Sequence, residues 1–118
     1  LFRGFDDVFR MPQSRHTEVR REDIERVDDL EVIAESEESG VSIVRSRSRR
    51  EFFITGHLEY ALDTLDTEYR RDLGKRDDVE VPKYYYREDN PDKGPLVTWR
   101  SHANLLFMNW VSWVLGGE

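Results

Sequence analysis

The sequence predicts an α/β fold, and three observations carry that expectation. Residues 30–35, 41–44 and 51–55 are short runs rich in β-branched and aromatic side chains, as strands require. Leu58, Leu62, Leu65, Tyr69 and Leu73 then recur every three or four residues, the period of an amphipathic helix packed on a sheet. The two patterns meet in Phe52-Phe53-Ile54-Thr55-Gly56-His57-Leu58-Glu59-Tyr60, where Gly56 permits a bend that a side chain would resist. A strand-to-helix corner is where α/β folds place reactive groups.

In chain order, residues 1–10 carry Phe2, Phe5, Val8 and Phe9 among charges, a pattern that anchors an irregular segment or a short helical turn. Residues 11–18 form a polar loop in which Pro12 disfavours helix and Thr17 can cap a turn at Glu18. Residues 22–29 are strongly charged, with Ile24 and Val27 at helical spacing, so a short exposed helix or turn is expected. Ser36-Glu37-Glu38-Ser39-Gly40 then makes a hairpin the simplest connection between the first two strands. The basic cluster Arg45-Ser46-Arg47-Ser48-Arg49-Arg50 has no interleaved aromatics and lies near acidic runs, and it reads as a solvated turn into the third strand.

Gly74 stops the helix of residues 58–73, and Glu68 and Arg71 fall on its polar face, where an exposed ion pair of little worth is the plain reading. Residues 75–78 are a charged linker. Pro82, Asn90-Pro91 and Gly94-Pro95 mark extended loop and turn, with Tyr84, Tyr85 and Tyr86 covering the fold. Ser101 is placed to cap a helix over residues 102–115 that ends at Gly116-Gly117. That helix is apolar almost all round and too short to span a bilayer, so it should be buried in the whole protein or at a subunit contact. His102 reads as a helix-end histidine.

A chain of 118 residues with 37% hydrophobic content supports one domain, residues 1–118, with a modest core. It begins at Leu1 rather than at a methionine, and a fragment of a longer product is expected. A net charge of −7 disfavours a nucleic-acid surface. With no signal-peptide pattern and no apolar run near the ~20 residues of a bilayer span, a cytoplasmic protein without a membrane partner is the default. The absence of cysteine excludes disulfides, Cys-ligated zinc and a cysteine nucleophile within these residues.

Histidine titrates near neutral pH, and a carboxylate at its second ring nitrogen fixes the tautomer and stabilises the imidazolium. His57 and Glu59 are spaced to be the second half of such a triad. Alone, the pair is more often the mark of a structural or surface histidine. His57, Glu59 and either His16 or His102 would also satisfy a three-ligand metal site, but only the first two are placed together by sequence.

The corner Thr55-Gly56-His57-Leu58-Glu59-Tyr60 resembles the Thr-Gly-His-x-Glu-Tyr signature of the homoserine O-acyltransferases, the MetA-type family of methionine biosynthesis. Three further stretches resemble family motifs in the family's order: Arg3-Gly4-Phe5-Asp6-Asp7, Pro12-Gln13-Ser14-Arg15-His16-Thr17-Glu18, and Trp99-Arg100-Ser101-His102-Ala103-Asn104-Leu105-Leu106-Phe107. The resemblance spans nearly the whole chain and corresponds to the C-terminal part of such an enzyme. It implies part of a class I glutamine amidotransferase-like, flavodoxin-like three-layer domain and an acyl-cysteine intermediate whose cysteine lies in the missing N-terminal part. It further implies acetyl- or succinyl-coenzyme A as cosubstrate, no resident cofactor or metal, and a homodimer.

By the same resemblance His57 and Glu59 are catalytic, and Ser14, Arg15 and Arg71 contact homoserine, Arg71 through the carboxylate. Glu68 either orients Arg71 or meets the substrate amine. The sequence departs from the family pattern at Gln13, where histidine is frequent, at Leu58, where proline is usual, and at Ala61, where aspartate is common. The position that selects the acyl group lies outside these residues, and the piece alone is expected to be inactive and marginally stable. A glutaminase-type amidotransferase domain shares the Cys-His-Glu chemistry, and a noncatalytic interaction module would also suit a chain with no nucleophile and a very apolar terminal helix.

Overall fold

The computed structural model describes residues 1–14 and 18–116. They form two compact units: Gln13–His57, and Leu1–Pro12 together with the chain from Leu58 onward. The architecture is mixed α/β, with one small antiparallel sheet and packed helices.

The first unit runs α1 (Arg21–Glu25), β1 (Leu30–Ser36), β2 (Gly40–Ser46) and β3 (Phe52–Ile54), in the sheet order β1-β2-β3. The central strand is the most buried, and it is covered on both faces: Val41, Ser42, Ile43, Val44 and Ser46 are all buried, Ile43 completely. Against it the short α1 buries Ile24, which packs with Val41 and Val44 over the partly covered Leu30 and Val32. Val27, the other apolar residue of the predicted charged helix, lies beyond its end and is exposed.

The expected hairpin forms with Ser36 opposite Gly40, leaving a three-residue loop. Ser39 N–H donates to Ser36 Oγ at 3.0 Å, and Gly40 takes φ = +73°, the left-handed conformation that closes loops of this length. The basic cluster is a turn, and its organiser is Asp29. That carboxylate accepts from Ser46 Oγ at 2.6 Å and from Ser48 N–H at 2.9 Å, while its own carbonyl accepts from Arg47 N–H at 2.7 Å. The hydrogen bonds from Ser46 and Ser48 hold the Asp29 carboxyl below its ordinary range. Arg45 meets Glu31 at 2.8 Å and Arg49 meets Glu51 at 3.6 Å, so acidic neighbours offset part of the cluster's charge.

The second unit contains α2 (Thr64–Leu73), two 3-10 turns (Arg87–Asp89 and Pro91–Lys93) and α3 (Arg100–Val114). α2 starts at Thr64, not directly after Leu58 as periodicity predicts, because residues 58–63 are spent in turns. Leu58 is buried, but Leu62 and Leu73 are half exposed, so Leu65 and Tyr69 alone form the buried stripe of the helix proper. Asp63 at the N-cap makes no side-chain cap. Tyr85 replaces it. Its hydroxyl accepts from Asp66 N–H at 3.1 Å and donates to Leu62 O at 2.5 Å, closing the first turn from outside the helix.

Tyr86 donates its hydroxyl to Asp66 Oδ1, which also accepts from Arg70 Nε at 2.8 Å, and Arg70 Nη2 continues to Pro91 O at 3.0 Å. Tyr85 and Tyr86 are buried, as the covering role expects, whereas Tyr84 is half exposed and carries Arg10 over its ring at 5.2 Å. The Tyr86 hydroxyl bond holds the Asp66 carboxyl below its ordinary value, and burial with the adjacent Asp66 pushes the Tyr86 phenol well above its own.

α3 begins two residues early, with Trp99 rather than Ser101 at the N-cap position and no side-chain cap. It buries Ala103 and Leu106 and receives the N-terminal segment. Phe2, Phe5 and Phe9 stack edge on edge at 5.1–5.8 Å between centroids, with His102 5.0 Å from Phe5, and Asn109 Nδ2 donates to Leu1 O at 2.8 Å and Arg3 O at 2.9 Å. Phe107, Met108, Trp110, Val111, Val114 and Leu115 are exposed within these residues, whereas the burial expected of this helix is in the whole protein or at a subunit contact. Among the described residues no helix is long and apolar enough to cross a membrane.

Two substitutions test this account. A Cβ at Gly40 meets nothing within 4 Å, so Gly40→Ala isolates the cost of its positive φ and should destabilise the protein by about 1 kcal/mol in denaturant titration. Tyr86→Phe removes a hydrogen bond to an ionised carboxylate that retains Arg70, a loss of about 1.5 kcal/mol at neutral pH. Because the folded Asp66 value is depressed, that stabilisation is complete above the ordinary 3.8 and disappears as pH falls through the lowered value. The gap between parent and Tyr86→Phe should therefore be flat from neutrality down to about the ordinary 3.8 and close between there and the lowered value; a gap independent of pH would refute the role given to Asp66.

Candidate functional site

The end of β3 is fastened to the central strand by one residue. Thr55 N–H donates to Ser42 O at 2.9 Å, and Thr55 Oγ1 donates to Val41 O at 3.0 Å. The chain bends at the buried Gly56, and half-buried His57 follows as the last residue of the sheet unit. A histidine two residues beyond a doubly bonded threonine starts from a fixed backbone position. Leu58 is buried and Glu59 is exposed in the turn that opens the helical unit. At Leu58, where the resembled pattern has proline, an apolar side chain fills the interior, and at Ala61 the backbone N–H donates to Thr64 Oγ1 at 3.1 Å.

Within the helical unit the structure brings Glu68 together with Tyr60. The Tyr60 hydroxyl donates to Glu68 Oε1 at 2.8 Å, across the loop that precedes α2. Glu68 Oε2 is buried and has no hydrogen-bond partner among the described residues. The ion pair expected between Glu68 and Arg71 does not form: Arg71 is exposed and its Nε meets Asp72 Oδ1 at 3.3 Å, while Arg70 pairs with Asp66 at 2.8 Å. Arg71 thus lies exposed and bonded to Asp72, one turn from a carboxylate with one oxygen unpartnered among the described residues. Trp99 at the start of α3 fixes the loop itself, with Nε1 donating to Tyr60 O at 3.1 Å.

Ser14 is half buried at the start of the sheet unit, next to Gln13, whose Oε1 is buried without a partner among the described residues. Arg15, His16 and Thr17 lie outside the described residues. The third histidine, His102, is absorbed by the aromatic anchor, with Nε2 3.4 Å from Asp6 Oδ2. Among the described residues no group of three histidine, aspartate or glutamate side chains is placed to hold a metal.

The contributions of Tyr60 and Trp99 are not visible in the helical period of residues 58–73. A continuous helix from residue 58 would put Tyr60 and Glu68 just over two turns apart, beyond each other's reach. The signal that separates them is local: Asp63 and Thr64 are poor helix-interior and good helix-start residues.

The sequence profile described as homoserine O-succinyltransferase matches residues 1–117. The chain is 61% identical over all 118 residues to a homoserine O-acetyltransferase of Bacteroides thetaiotaomicron, 56% identical to one of Brevibacillus brevis and 55% identical to one of Geobacillus kaustophilus. In each case it is matched over its whole length and spans 39% of the relative. A profile match over nearly every residue, together with identities of this size, makes the chain a member of the homoserine O-succinyltransferase family.

Proposed function

We propose that the chain is the C-terminal part of a homoserine O-acyltransferase that moves an acyl group from acyl-coenzyme A to the hydroxyl of L-homoserine in methionine biosynthesis. The observation that carries the reading is identity of 55–61% along the whole chain to proteins named homoserine O-acetyltransferase, with the Thr55-to-Tyr60 corner at the end of a firmly paired strand. Acetyl is the preferred donor group because the relatives at these identities carry that name; the profile's description favours succinyl as the second reading.

On this reading a cysteine thiolate from outside these residues attacks the thioester carbonyl, and coenzyme A leaves as its thiolate. His57 then takes the proton from the homoserine hydroxyl, whose oxygen attacks the acyl-cysteine carbonyl. The C–S bond breaks, the cysteine thiolate is restored, and His57 gives up its proton. Glu59 holds the imidazole tautomer and balances the imidazolium. Arg71 receives the homoserine carboxylate, Ser14 and Arg15 contact the same substrate, and Glu68 meets its ammonium group. The absence of cysteine in the chain and its span of 39% of its relatives support an inactive piece of an active whole.

The same reading makes the chain part of a three-layer glutamine amidotransferase-like domain in a cytoplasmic homodimer; the support is the motif resemblance around His57. No resident cofactor enters the reaction.

The test is coenzyme A release by the intact protein from acetyl- and succinyl-coenzyme A, with and without L-homoserine. Homoserine-dependent release should fall by at least about a hundredfold in kcat for His57→Ala, with the protein still folded. Arg71→Lys, which keeps charge but loses the fork, should raise the KM for homoserine by about tenfold with little change in that for the acyl donor. A folded intact protein that releases coenzyme A from neither donor would eliminate the acyltransferase reading.

A further inference from the structure

We propose that Tyr60 is a positioning residue for substrate recognition: its hydroxyl binds one oxygen of Glu68 so that the other is held ready for the substrate's ammonium group. The inference rests on the acyltransferase reading and names a residue that sets specificity at its site.

Three observations carry it. Glu68 Oε2 is buried without a partner among the described residues, and a buried carboxylate oxygen left in that state is costly unless a ligand satisfies it. Glu68 Oε1 is committed to the Tyr60 hydroxyl at 2.8 Å, which leaves Oε2 as the oxygen with unused accepting capacity. Tyr60 is itself located from behind, because Trp99 Nε1 donates to its carbonyl at 3.1 Å while Trp99 is buried beside Tyr85.

The arrangement is a chain of fixed points running from the start of α3 through the loop to α2. A glutamate side chain has three rotatable bonds, and an unrestrained one would fold back into solvent or seek Arg71 three residues on. The Tyr60 hydroxyl forestalls both. Its location is settled by a backbone hydrogen bond rather than by the helix that carries Glu68, so carboxylate and helix are independently held. An α-amino acid substrate then offers its ammonium to Oε2 and its carboxylate to the exposed Arg71.

The experiment uses the intact enzyme with L-homoserine and with γ-hydroxybutyrate, the same molecule without its amino group. Tyr60→Phe should raise the KM for homoserine about tenfold, the size of one charge-assisted hydrogen bond, with kcat and the KM for the acyl donor unchanged. Preference for homoserine over γ-hydroxybutyrate should fall by the same factor in Tyr60→Phe and more in Glu68→Gln, and the double variant should show no further loss beyond Glu68→Gln. Unchanged preference in an active Tyr60→Phe enzyme would overturn the role of Tyr60 alone. So would parallel losses of kcat and melting temperature, which mark a merely structural residue. A parent that shows no homoserine-dependent release overturns the acyltransferase reading, and this inference with it.

Discussion

The helical unit depends on the grip that two buried tyrosines keep on the first turn of α2. A helix of ten residues has too few internal hydrogen bonds to define its own start, and α2 lacks a side-chain N-cap. Tyr85 supplies the missing acceptor to the Asp66 N–H, and Tyr86 fixes the carboxylate of the same residue. These contacts are made by a loop whose own shape is set by the Tyr86–Pro95 bridge, by the two 3-10 turns and by left-handed backbone at Glu88, Asp89 and Gly94. Irregular backbone is thereby used to define a regular element. The placement of Glu68 and Arg71 follows, since both project from the helix whose first turn is held.

The sheet unit obeys a different constraint. Its central strand is flanked on both edges, and the apolar residues of β2 collect α1 on one side and the turn bearing Ser46 near its end. A single acidic residue, Asp29, holds that turn by accepting from side chain and backbone at once, so a cluster of arginines becomes a defined connection rather than a mobile one. Thr55 does the equivalent work at the far end of β3. Between these two points the strand leading to His57 has little freedom, although only three of its residues pair as a strand.

How much of this was legible in the sequence depended on whether the cause was local. The strands, the hairpin turn and the α3 stretch were readable because their signals are periodic or lie in adjacent residues such as Ser36-Glu37-Glu38-Ser39-Gly40. The start of α2 was misread because Leu58 and Leu62 continue the helical period by chance of spacing, while the deciding contacts come from Tyr85, more than twenty residues on. Asp29 was hidden inside a run of like charges for the same reason: its partners are Ser46 and Ser48. The half-exposed face of α3 shows a further limit, since apolar composition predicts burial without saying which face this chain covers. Of the candidate site, the roles of His57, Glu59, Glu68 and Arg71 came from the resemblance, while helical position alone read Glu68 and Arg71 as an exposed ion pair; the loop residue that touches Glu68 had no periodic signature.

The position of the polar face of α2 therefore has two independent determinants, and they act on different atoms. Tyr85 and Tyr86 define where the helix begins and how it is rotated, through the backbone of Leu62 and Asp66 and the side chain of Asp66. Trp99, through the carbonyl of Tyr60, defines where the loop before the helix passes, and the Tyr60 hydroxyl converts that into a fixed orientation for one carboxylate. Tyr85 and Trp99 are neighbours, with ring centroids 6.1 Å apart, so both determinants share one aromatic base. This arrangement tolerates a short and weakly capped helix, because the placement of Glu68 is set by buried rings beneath the helix rather than by the helix's own stability.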